Sequence, residues 1–67
     1  MKLKINGEWV DDLPDALSVS ALLTHLQLPV KKIAVERNLK IVPKSTFDTA
    51  TLAEGDQLEI IHFIGGG

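Results

Sequence analysis

The chain has no cysteine and no tyrosine, and it carries a single tryptophan and two phenylalanines. Without thiols there is no disulfide framework and no thiolate metal site. Positive charge is not in surplus either: 7 Lys and Arg stand against 9 Asp and Glu, for a net charge of −2, and the basic residues are scattered. Phosphate binding needs a concentrated basic face, so nucleic acid is not an expected partner. No apolar run approaches the roughly 20 residues of a membrane helix. The opening Met1-Lys2-Leu3-Lys4-Ile5-Asn6 lacks the apolar core of a signal peptide. A soluble cytoplasmic protein with no membrane partner is expected.

What is present suffices for one small domain. The 67 residues are 45% hydrophobic, drawn mostly from Leu, Ile, Val and Ala, near the lower size at which a core holds itself together. Lys2-Leu3-Lys4-Ile5 alternates polar and apolar as a half-buried strand does. Asn6-Gly7 then signals a two-residue hairpin, because both central positions of a type I′ turn need φ > 0. A return strand Glu8-Trp9-Val10-Asp11 places Ile5 opposite Glu8 and Leu3 opposite Val10. Leu3, Ile5 and Val10 then share the inner face, and Lys4 and Trp9 the outer one, unless a bulge shifts the register. Leu13-Pro14-Asp15-Ala16 reads as a loop. Ser18 is an N-cap candidate, followed by Val19, Leu22, Leu23 and Leu26 at the spacing of an amphipathic helix of two to three turns. Pro29 is expected to end that helix.

Ile33 to Arg37 reads as a third strand, Asn38 as a turn, and Lys40-Ile41-Val42 as a short fourth strand stopped by Pro43. Lys44 to Ala53 is irregular, with Phe47 and Leu52 as anchors. Glu54-Gly55-Asp56 turns into a final strand, Gln57 to Ile64, the most apolar of the five and therefore expected at the centre beside the first. The order β-β-α-β-β-β is that of an α+β, ubiquitin-like β-grasp: a mixed sheet of about five strands wrapped on one main helix, with residues 1–64 as the domain and 65–67 as a flexible tail. Leu58 and Ile60 should face the helix. Ile61 and Phe63 should face away, where nothing in the chain supplies a second layer. With Ile64 and Trp9 they are the candidate partner-docking residues.

The strand leads directly into Gly65-Gly66-Gly67. A well-held strand with an unhindered tail suits the presentation of a carboxylate to another protein's active site. Three extended residues reach about 10 Å, and glycine has no Cβ to meet the walls of a channel. A carboxylate, with a pKa of roughly 3.5, is a poor electrophile. It needs activation, most simply as an acyl-adenylate formed with ATP and Mg²⁺, before a sulfur donor displaces AMP to leave a thiocarboxylate. In a chain without cysteine, any sulfur handled must ride on such a group. Other side chains offer little chemistry. His25 and His62 are isolated and make no metal site. Glu54 and Asp56 look like turn residues, Asp11, Asp12 and Asp15 are too local for a carboxylate dyad, and Lys44 reads as a loop lysine. No nucleophile–base pair, P-loop or dinucleotide-binding loop is present, so a non-enzyme with no bound cofactor is expected.

The chain resembles the ubiquitin-like sulfur carriers of thiamine biosynthesis, the ThiS type. The resemblance runs through Asn6-Gly7-Glu8, the helix start Ser18 to Leu23, Ala34-Val35-Glu36-Arg37-Asn38, Ile41-Val42-Pro43-Lys44-Ser45, Leu52-Ala53-Glu54-Gly55-Asp56, and Glu59 to Gly67. It implies adenylation at the final glycine, here Gly67, by a ThiF-type enzyme. It further implies sulfur derived from cysteine through a desulfurase, and delivery to a ThiG-type thiazole synthase that builds the thiazole of thiamine. The family's terminal Gly-Gly pair corresponds to Gly66 and Gly67, and Gly65 lengthens the tail that enters the partner. The tail alone also fits the small subunit of molybdopterin synthase or a ubiquitin-like modifier. A non-covalent β-grasp interaction module is the reading from another class.

Overall fold

The computed structural model describes residues 1–63. Ile64, Gly65, Gly66 and Gly67, and with them the division at 64/65, lie outside the described residues. Five strands and one helix follow in the order β1 (Leu3–Ile5), β2 (Glu8–Val10), α1 (Val19–His25), β3 (Ile33–Arg37), β4 (Lys40–Ile41) and β5 (Gln57–His62), with short 3₁₀ turns at Val30–Lys32 and Lys44–Thr46. The sheet order is β2-β1-β5-β3-β4. β5 lies at the centre, parallel to β1 and antiparallel to β3, as its composition predicts.

The hairpin forms in the predicted register, Leu3↔Val10, Lys4↔Trp9 and Ile5↔Glu8, with no bulge. Asn6 and Gly7 both sit at positive φ, 51° and 83°, as a type I′ turn demands. Asn6 has a second task. Its backbone N–H donates to the Leu58 carbonyl at 2.9 Å. Its side-chain oxygen accepts from the Ile60 N–H at 2.7 Å, and its amide donates to the Ile60 carbonyl at 3.3 Å. The side chain thus stands in for a peptide unit and extends the pairing of β5 past the end of β1.

Ser18 caps α1 by accepting from the Ala21 N–H. Val19, Leu22 and Leu23 are buried, while Leu26, the C-cap, is only partly covered. The helix stops before Pro29 exerts any effect. Gln27 adopts φ 59°, the Leu28 N–H donates to the Leu23 carbonyl and the Gln27 N–H to that of Thr24. This pair of bonds is a Schellman motif, and it corrects the expectation that Pro29 ends the helix.

The core joins Leu3, Val19, Leu22, Leu23, Ile33, Val35 and Leu58 to the loop anchors Leu13, Leu17, Phe47 and Leu52. Full burial of a leucine contributes roughly 2 kcal/mol. Leu13 and Leu17 tie down a loop that the sequence marks only by its proline and acidic residues. At the β3–β4 turn, Asn38 and Leu39 take φ 50° and 73°. Asparagine accepts this conformation readily, whereas Leu39 does so with its side chain 90% exposed. Replacing Leu39 by glycine forfeits little packing and is expected to raise stability by about 0.5–1 kcal/mol, read as a melting temperature a few degrees higher. An unchanged or lower value would contradict strain at this turn.

Candidate functional site

One face of the sheet carries α1 and the core. The other has no described layer over it, and the strand registers fix its composition. Lys4 pairs with Trp9 on one side and with Gln57 on the other. Further along β5, Glu59 stands opposite Glu36, and Glu36 in turn opposite Ile41. Next comes Ile61 opposite Ala34, and then Phe63, whose N–H donates to the Lys32 carbonyl at 2.8 Å.

Ile61 is 43% exposed and Phe63 53%, an apolar strip at the end of β5, and Ile41, 65% exposed, lies on β4 in the row of Glu36. Ile61 and Phe63 therefore lie together, as period-two alternation predicts. Trp9 is also 53% exposed but stands apart. It aligns with the start of β5 from the far edge of the sheet, and Phe63 lies six residues onward, about 20 Å at the rise of an extended strand. The indole is occupied by two ammonium groups, Lys2 at 4.8 Å and Lys4 at 5.7 Å from the ring centroid, a cation–π arrangement. Ile41, Ala34, Glu36 and Glu59 belong to the same face and escaped the sequence reading. Alternation along β3 assigns Ala34 and Glu36 to it, but only the register with β4 and β5 sets them beside Ile41, Ile61 and Glu59.

Behind this face Asp56 holds the strands in place. It is the one buried charged residue among those described, not the plain turn residue its setting between Gly55 and Gln57 implies. Its Oδ2 accepts from Arg37 Nε at 2.8 Å and from the Ala53 N–H at 2.9 Å, and its Oδ1 from Asn38 Nδ2 at 3.1 Å. Arg37 adds an ion pair at 2.7 Å. Asn38 closes the network by accepting from the Gln57 N–H and donating its own to the Gln57 carbonyl. Burial pushes the Asp56 carboxyl up. The Ala53 and Asn38 hydrogen bonds and the Arg37 guanidinium outweigh that and hold it below its ordinary value. Glu54 accepts from the Lys2 N–H, and Lys44 donates to the Lys31 carbonyl. His25 and His62 are exposed. Asp11, Asp12 and Asp15 remain exposed and local. No group of three or more His, Cys, Asp or Glu among the described residues has the geometry to hold a metal ion. Among the described residues no helix is long and apolar enough to cross a membrane.

A mixed five-stranded sheet with a parallel β1–β5 centre, one helix and an uncovered face running into the last strand defines the β-grasp, or ubiquitin-like, class. Within that class, the profile of the ThiS family matches residues 3–67, and the chain belongs to this family. It is 38% identical over 65 residues to the sulfur carrier protein ThiS of Bacillus subtilis, covering 97% of this chain and 98% of that one. It is similar in structure to a thiamine biosynthesis protein (ThiS) from Geobacter metallireducens, with a TM-score of 0.84, 33% identity and full coverage of both chains. It is also 51% identical over 67 residues to a thiazole synthase of Paramagnetospirillum magneticum. There it spans 20% of the relative's length, so the same domain occurs within a longer chain.

Proposed function

We propose that this protein carries sulfur for the thiazole moiety of thiamine, and that the working group is the carboxyl of Gly67. A ThiF-type enzyme uses ATP and Mg²⁺ to adenylate that carboxyl, with pyrophosphate leaving. Sulfur drawn from cysteine as a desulfurase persulfide, and brought to the sulfide level by thiols that are oxidised to a disulfide, then displaces AMP, and the resulting thiocarboxylate delivers it to a ThiG-type thiazole synthase. The chain is the substrate of these enzymes and has no catalytic residue of its own. Ile61 and Phe63, with Ile64, dock the partner, and Gly65, Gly66 and Gly67 enter its active site. Trp9 sits at the margin of the docked surface.

The observation that carries this reading is family membership over residues 3–67, a span that includes the glycine tail. The likeness to a thiazole synthase over the whole of this chain supports thiazole formation over molybdopterin synthesis as the destination. The geometry is compatible with a carrier: the last described residue that packs against the core is Ile60, and the last strand pairing is His62 with Ile33, so both precede the glycines in the chain. Incubation with the adenylating enzyme, ATP, Mg²⁺ and a sulfur source should give a protein heavier by the difference between one sulfur and one oxygen. Intact-mass spectrometry showing no gain, with the adenylating enzyme proven active on another carrier, would refute the reading.

A further inference from the structure

Glu36 and Glu59 stand directly opposite each other on adjacent strands, and like charges so placed repel. The free domain does not relieve this. The ion pairs among the described residues are Met1 with Asp15 and Arg37 with Asp56. Lys4, on the same face, makes an ion pair with neither glutamate and lies with Lys2 over the Trp9 ring. Both glutamates line a depression of about 150 Å³, together with Lys4, Gly7, Leu39, Gln57 and Leu58. Its rim continues into exposed apolar surface, Ile41 in the row of Glu36 and Ile61 in the next.

We propose that this depression receives an arginine side chain from the thiazole synthase, so that the two glutamates act as a specificity lock one row behind the apolar docking strip. The inference rests on the carrier reading above. Arginine is the fitting cation because its planar guanidinium presents five donors in a fixed fork and can span two carboxylates, where a lysine offers a single point charge. Charge complementarity selects a basic partner surface. The choice of thiazole synthase follows from the relative in which this same domain shares one chain with an enzyme of that name. Such tethering gives a high effective concentration and allows a modest, charge-guided interface to suffice. Repulsion in the free domain and its relief on docking predict opposite signs for stability and binding, which a merely structural role for the pair would not produce.

The test compares the full chain with a Glu36→Gln/Glu59→Gln double variant. It measures binding to separately purified thiazole synthase by calorimetry at low and high salt, alongside the melting temperature of each free domain. The double variant should bind at least about tenfold more weakly and lose most of its salt dependence, while melting at the same or a higher temperature. Equal affinity would overturn the proposal, as would a loss of affinity that merely follows a loss of stability. A loss confined to the adenylating enzyme or to self-association would overturn thiazole synthase as the occupant. A wild-type chain that is loaded with sulfur but does not bind the synthase refutes this inference alone. A wild-type chain that is never loaded refutes the carrier reading as well.

Discussion

Removal of Gly67 should abolish sulfur loading and leave the domain folded. The reason is positional. An extended residue spans about 3.5 Å, so a carboxyl moved back by one residue falls short of the ATP phosphate it must attack and of the sulfur that must then attack its acyl carbon. Misplacement of reacting groups by even 1 Å costs on the order of a hundredfold in rate. The deletion leaves the buried core untouched, because its last member is Leu58, and the melting temperature should not move. Docking should survive too, since Ile61 and Phe63 stay in place. The truncated chain is therefore expected to inhibit loading of the intact one competitively, at a concentration close to the intact chain's KM. Ile61→Asp should do the reverse, raising KM while sparing the rate at saturation. Full loading of the truncated chain would remove the terminal carboxyl from the mechanism. Failure to compete would remove the docking strip.

How far this surface is legible in the sequence depends on how local its causes are. The Asn6-Gly7 turn fixes the first hairpin by backbone conformation alone, and the helix announces itself through Ser18 and the spacing of Val19, Leu22 and Leu23. Alternation within one strand suffices to send Ile61 and Phe63 outward. The Glu36–Glu59 opposition needs more, namely the register between two strands that are separated in the chain by β4 and the loop after it. That register is set by the core contacts of Val35 and Leu58 and not by any local signal. The helix terminus illustrates a different limit. A left-handed residue closes it, but Gln27 occupies the position where glycine usually gives the signal, and the conspicuous Pro29 draws attention to the wrong residue. Asn6 likewise reads only as a turn former, although its side chain also completes the β1–β5 ladder.

Asp56 is the residue whose weight the sequence hides most, because its partners Arg37 and Asn38 lie 19 and 18 positions away. Substitution by asparagine should lower stability by about 3 kcal/mol. The carboxylate accepts on both oxygens, from Arg37 and Ala53 on one and Asn38 on the other. An amide must turn its NH₂ group toward one of these donors and leave the Arg37 charge without its counter-ion. For a domain of this size each kcal/mol corresponds to roughly 4–8 °C, so the melting temperature should drop by more than about 10 °C. The pH dependence supplies an independent check. The folded-state carboxyl is held below its ordinary value of 3.8. Its stabilisation is therefore fully present above that value and disappears as pH falls through the lower, folded-state pKa. Wild type should lose stability on acidification through that window, and Asp56→Asn should show a flatter curve that converges on it at low pH. Equal melting temperatures at neutral pH, or parallel curves on acidification, would mean that the strands flanking the docking face are held by packing alone.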